Sequence, residues 1–329
     1  MSNRIQGVDE AKGIAILLVV VGHVWLGLYS SGVCKETKLF VWVIDWIYSF
    51  HMPVFFVIAG MLAIRSVQKY GGPEFVGSKL RTVVFPYLVW SVLQLILQRA
   101  FQSNVNAETS SSFVTLFVAP IGQFWFLYTL FVLYLVHLVS DRLGMPAWAF
   151  LLVTCGPYVF VRGSFWPWEV LQGVAAYGVF YALGACCLKW GDNKAGWEKL
   201  PVWAGGVALG GVALAVTYGW QKPLWGKLIV AVIGSGGVLV FGCWLGRVRW
   251  GKPIQVLGQA SLAIFVAHTI FAAGLRTVLI KFGLWQPEIH FPLGVLVGIL
   301  GPLVLLAIER WCGFPYFFTW PSRPHSPRP

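Results

Sequence analysis

The chain has 329 residues, of which 58% are hydrophobic and 11% charged, and its mean hydropathy is +0.74. That composition excludes a soluble globular domain and points to a polytopic membrane protein. The net charge of +12 would suit nucleic acid, but the basic residues lie between apolar stretches, where membrane orientation accounts for them, so no nucleic-acid partner is expected.

Ten apolar segments, near 13–33, 39–64, 82–101, 117–140, 147–161, 168–189, 201–219, 226–246, 254–279 and 291–311, predict an all-α integral membrane protein. The expected fold is a bundle of about ten transmembrane helices in a lipid bilayer, with both termini cytoplasmic. That arrangement puts twice as many Lys and Arg residues on the cytoplasmic side as on the other. The first segment is too long and lacks the cleavage pattern of a removable signal, so it is expected to stay in the protein. Residues 1–315 read as a single transmembrane domain and residues 316–329, ending in PSRPHSPRP, as a disordered cytoplasmic tail. The six cysteines have no metal-ligand spacing and no metal is expected.

In the first span, Lys12 marks the entry and His23 is the sole ionisable side chain between Gly13 and Gly32. Eleven residues of helix separate them by about 16 Å and bring them within roughly 20° of one face. A surface cation aligned with a mid-bilayer imidazole reads as a site, since ionisable groups in a span are costly and usually mark a cavity or pathway. The bland alternative is a packing histidine with a snorkelling lysine.

The second span carries SFHMPVFFVIAGM, in which Pro53 removes a backbone donor near His51. Entering near Leu39, His51 reaches about 18 Å deep, close to the level of His23. Asp45, near the outer end of this span, reads either as a substrate contact or as a wetted carboxylate. The inside-facing loop expected from Arg65 to Arg81, broken by Gly71, Gly72 and Pro73, crowds Arg65, Lys69, Lys79 and Arg81 on the inner surface; it suits an anion or serves as an ordinary positive-inside anchor. In the fourth span Trp125 suits the bilayer interface, and His137 meets the cytoplasmic end. In the ninth, His268 lies seven residues after Ser261, two turns along roughly the same face.

These segments, in this order, resemble the membrane-bound acyltransferase 3 family, and the first half is most similar to its fucose O-acetylase-like branch. VDEAKGIAILLVVVGH resembles the family signature in which a basic residue precedes an intramembrane histidine by eleven positions, matched here by Lys12 and His23. SFHMPVFFVIAGML resembles the second-span motif, KLRTVVFPYLVW the basic segment leading to a Pro-Tyr third span, FWFLYTLFVLYL the Trp-Phe-Leu segment and VLGQASLAIFVAH the late Ser-to-His segment. The chain departs from the pattern at Ser78, where many members carry a second arginine, at Ala59 in place of a hydroxyl, and at Gln123 in place of a common histidine.

The resemblance implies transfer of an acetyl group from cytoplasmic acetyl-CoA to a hydroxyl of a glycan or lipid-linked sugar, in the bacterial inner membrane. His23, His51 and His268 are then the expected catalytic residues. Lys12, Lys79 and Arg81 are expected to hold the donor's phosphates, and Trp125, Asp45 and Ser261 to meet substrate. A neutral imidazole at His23 can take the acceptor's proton or carry the acetyl group itself; both roles stay open. The alternative is a proton-coupled transporter of a sugar or anion, with midplane histidines as the relay. Against it, the two halves show no repeat.

Overall fold

In lipid a backbone has only its own groups to bond, so long apolar runs close into helices. A computed structural model describes residues 5–100, 116, 119–160, 169–189, 196–314 and 316–320, and among these the chain forms helices and no strand. In chain order they are α1 (Val8–Ser30), α2 (Lys38–Lys79), a π-helical turn (Leu80–Val84), α3 (Phe85–Ala100), α4 (Trp125–Arg142), α5 (Ala147–Phe160), α6 (Glu169–Lys189), α7 (Val202–Thr217), α8 (Leu224–Leu245), α9 (Lys252–Gln259), α10 (Ser261–Lys281) and α11 (Pro287–Cys312). Eight helical stretches among the described residues are long and apolar enough to cross a membrane. α5 and α7, with 14 and 16 residues, are apolar but shorter than a full span. The protein is an all-α, polytopic integral membrane protein.

α1 is the hub of the bundle, packed by α2, α8, α9, α10 and α11. Glycines permit the approach: a Cβ on Gly13 would strike the Ile254 carbonyl of α9, and one on Gly258 the Asp9 carbonyl of α1. Val24 meets Gly294 and Val20 meets Gly298, so α11 runs antiparallel to α1. Gly27 meets Arg276 one turn beyond the level where His23 meets His268, so α10 runs parallel to α1. α2 and α6 form a second close pair, in which Gly60 abuts the Tyr181 carbonyl and Gly184 the Val57 carbonyl.

The expected basic connection between Arg65 and Arg81 is helical rather than a loop. Gly71, at φ 69° and ψ 178°, supplies a single kink, and Pro73 falls in the first turn of the following helix, where its missing N–H is not needed. The segment from Gly72 therefore runs through the π-helical turn to Ala100. Pro86 returns no N–H to the preceding turn, and the Arg81 carbonyl accepts instead from the Trp320 amide at 3.2 Å. Around that bond the chain after α11 docks on α3. Trp90 Nε1 donates to the Phe317 carbonyl at 2.7 Å, Phe318 stacks on Trp90, and buried Glu309 accepts the amides of Phe317 and Phe318. Contacts with α3 and the preceding π-helical turn thus continue through Phe317 and Phe318 to Trp320. The tail sequence PSRPHSPRP and the connection 102–112 lie outside the described residues.

Candidate active site

His23 stands two-thirds of the way along α1, half-buried, on the face that meets α10. Its Nδ1 lies 2.8 Å from Nε2 of His268, and the two rings stack with centroids 5.0 Å apart. His268 is fully buried, and its own Nδ1 sits 2.9 Å from both the Ile264 and Phe265 carbonyls. Carbonyls only accept, so the His268 proton is on Nδ1 and its Nε2 presents a lone pair. His23 Nδ1 must then donate to that lone pair. This leaves His23 Nε2 as the bare, basic nitrogen of the pair. Two ring nitrogens 245 residues apart in sequence become one hydrogen-bonded unit with a fixed tautomer.

His51, 3% exposed, follows the same rule: Nδ1 donates to the Ile47 carbonyl one turn earlier at 2.8 Å, freeing Nε2. Tyr48 stands between the histidines, edge-on to His51 with centroids 4.6 Å apart and edge-on to His23 at 6.3 Å. Gly22 makes this possible, since a Cβ there would come within 2.9 Å of the Tyr48 ring. A cavity of about 190 Å³ opens beside His23 toward the Ser30 end of α1, with His268, Thr269, Arg276 and His290 in its wall. A second cavity, of about 220 Å³, lies on the α2 side and is lined by Asp45, Tyr48, Ser49, Tyr177 and Lys227 among others.

The remaining expected residues fall in different places. Asp45 borders the second cavity and accepts from Gln221 at 3.3 Å. Trp125 stacks against Tyr177, with centroids 5.0 Å apart, and Phe56, so it backs the second cavity rather than lining the first. Ser261 opens α10, two turns before His268 and away from the cavity. Lys12 pairs with Asp9 at 2.8 Å, one turn earlier on α1. Lys79 places its ammonium over the rings of Tyr134 and Phe75, 4.4 and 5.0 Å from their centroids. Arg81 lies in the π-helical turn, half-exposed. His137 is buried against the Tyr181 hydroxyl at 2.9 Å instead of meeting the interface.

Sequence reasoning passed over four groups at the site. Arg276 lies two helical turns after His268, and its guanidinium occupies space that Gly27 leaves open. His290 begins the last span, and Tyr48 lay unnoticed three residues before His51. Thr269 accepts from Gln123 Nε2 at 2.9 Å, and that same amide donates to Gln94 at 3.2 Å. The residue that departs from the family pattern at position 123 thus braces the turn carrying His268.

A family model described as an acyltransferase domain matches residues 5–307. The nodulation protein NolL of Mesorhizobium japonicum is 24% identical, over 94% of this chain and 87% of that protein. NolL of Sinorhizobium fredii is 29% identical over 41% of this chain and 36% of its own length. The inner membrane protein YcfT of Escherichia coli is 21% identical over 87% of this chain and 85% of that protein. No solved structure matches the chain.

Proposed function

The chain belongs to the acyltransferase 3 family and is a membrane acyltransferase, and from that premise we propose that it moves an acetyl group from cytoplasmic acetyl-CoA to a hydroxyl of a glycan or lipid-linked sugar. The observation that carries this reading is the His23–His268 hydrogen bond, which leaves one basic nitrogen at the edge of a cavity. One relative is named an inner membrane protein, which supports placing this chain in the bacterial inner membrane.

His23 Nε2 takes the proton of the acceptor hydroxyl as its oxygen attacks the thioester carbonyl. The C–O bond forms, the C–S bond breaks, and the departing thiolate recovers the proton from the imidazolium. His268 is a positioning residue: it holds the His23 tautomer and stabilises the imidazolium that forms, as an acceptor behind a catalytic histidine does elsewhere. His51 lines neither cavity and positions Tyr48 against His23. Lys12, Lys79 and Arg81 serve the donor. They lie at the end of the bundle opposite the His23 cavity, where the polyanionic nucleotide of CoA meets them as the pantetheine arm reaches between helices. Asp45 lines the second cavity, where the remainder of the acceptor is held, and Trp125 supports its Tyr177 wall from behind, while Ser261 lies on the donor side of His268.

Purified protein supplied with labelled acetyl-CoA and a panel of sugars should yield an O-acetyl ester. His23→Ala should yield none while remaining monodisperse with unchanged helicity. Full activity in that variant would end the assignment. Label retained on wild-type protein would mark an acetyl-histidine intermediate in place of direct transfer.

A further inference from the structure

The wall of the His23 cavity is mostly apolar, yet it holds a cation that a neutral sugar does not need. Arg276 is a half-buried cation for which no hydrogen bond or ion pair occurs among the described residues. An unpaired guanidinium in a membrane bundle is costly, and its five N–H groups can only donate. Across the cavity, His290 is 2% exposed, and its Nε2 donates to the Leu284 carbonyl at 2.8 Å. That leaves its Nδ1 lone pair buried without a partner. Thr269 accepts from Gln123, so its own hydroxyl proton is available to the cavity. The cavity therefore offers an unneutralised fork of donors, an unfilled acceptor and the basic His23 nitrogen, within about 190 Å³.

We infer that this cavity binds an acidic sugar, whose anionic group is held by Arg276 while a neighbouring hydroxyl meets His23. The spacing suits one monosaccharide residue. Gly27 opens the space filled by the guanidinium and stands one helical turn, about 6 Å, from His23, roughly the breadth of a pyranose ring. An Arg fork pairs with carboxylate or phosphate through two parallel hydrogen bonds. His290 Nδ1 accepts from a second sugar hydroxyl. This assignment rests on the acyl-transfer reading and narrows its acceptor to sugars bearing a carboxylate or a phosphate.

The test uses the purified full-length chain and four probes: methyl glucuronoside, glucose 1-phosphate, methyl glucoside and inorganic phosphate. Binding is read by calorimetry, and transfer by kcat/KM with acetyl-CoA. At least one acidic sugar should bind and react about tenfold better than the glucoside, and the tighter of the two identifies carboxylate or phosphate as the group read. Arg276→Gln should bring the acidic-to-neutral ratio close to one, Arg276→Lys should keep part of it, and His290→Phe should weaken acidic and neutral sugars alike. An equal response to glucuronoside, glucose 1-phosphate and glucoside would overturn the inference, as would inorganic phosphate binding as tightly as the sugars, or an unchanged ratio in Arg276→Gln. Arg276-dependent binding with no ester on any sugar would remove the acyl-transfer reading and leave the acidic-sugar site standing. Ester formed equally on acidic and neutral sugars would do the reverse.

Discussion

In the proposed mechanism the direction of the hydrogen bond between His23 and His268 decides which nitrogen would do chemistry, and it is set by two backbone carbonyls that belong to neither residue. Because Ile264 and Phe265 take the His268 proton, His268 needs only an acceptor at its other nitrogen to do its work. Its substitutions should therefore separate chemistry from packing. His268→Ala removes the acceptor, frees the His23 tautomer and should lower kcat by roughly 10²–10⁴ with little change in acceptor KM. In His268→Gln the side-chain oxygen accepts the same proton and should restore part of that loss. Steady-state kinetics of both variants decide the matter: equal losses in the two, with KM raised in each, would make His268 a packing residue. At this scale the sequence was informative about single residues and silent about their relations. An intramembrane histidine stands out against apolar neighbours, so His23, His51 and His268 are visible one by one. Their pairing, and the approach of Arg276 and His290 to the same cavity, depend on how distant helices rotate against one another, and no local periodicity records that.

At the scale of elements, the helices α2 and α6 meet backbone to backbone at a reciprocal pair of glycines, Gly60 against the Tyr181 carbonyl and Gly184 against the Val57 carbonyl. Without water to expel, helix association in a bilayer rests on such close contact. A methyl group at either position has no flexible neighbour to push aside. Gly60→Ala or Gly184→Ala should cost about 1–3 kcal/mol through overpacking. Gly210 and Gly236 face open space, and there alanine should be neutral or stabilising by up to about 1 kcal/mol, the helix-propensity difference between the two residues. Unfolding of the four variants in a mixed micelle checks the contrast, and a uniform response would refute the backbone-contact argument. Helix existence followed from apolar length, which is why long elements such as α1, α8 and α11 fall where hydropathy places them. The stretch after Arg65 was misread as a loop because Gly-Gly-Pro is a loop signal in general, whereas here one residue with positive φ suffices and Pro73 starts the next helix. The docking of Phe317 and Phe318 on Trp90 was equally hidden, since a Pro-rich ending overshadowed the aromatic residues just before it.

For the whole molecule, the contacts of Val20 and Val24 with Gly298 and Gly294 fix α1 and α11 as antiparallel, so Val8 and Cys312 lie at one end of the bundle and Lys35 at the other. With the excess of cations expected on the inner side, we propose that the first of those ends is the cytoplasmic one. On that orientation the function proposed above has its sense: Lys12, Lys79 and Arg81 lie at the end where acetyl-CoA would be supplied, and the Arg276 cavity opens toward the opposite face, where a surface glycan would be met. Reversing the bundle would present the acceptor cavity to the cytoplasm and leave the donor's cations where no CoA is supplied. Exposed Cys312 and a cysteine introduced at exposed Lys35 report on the two ends independently. In spheroplasts an impermeant maleimide should modify Lys35→Cys at once and reach Cys312 only after the membrane is opened. The opposite labelling order would invert the protein and require the acceptor to be a cytoplasmic sugar, whereas labelling of both sites from one side would contradict the antiparallel pairing of α1 and α11 itself.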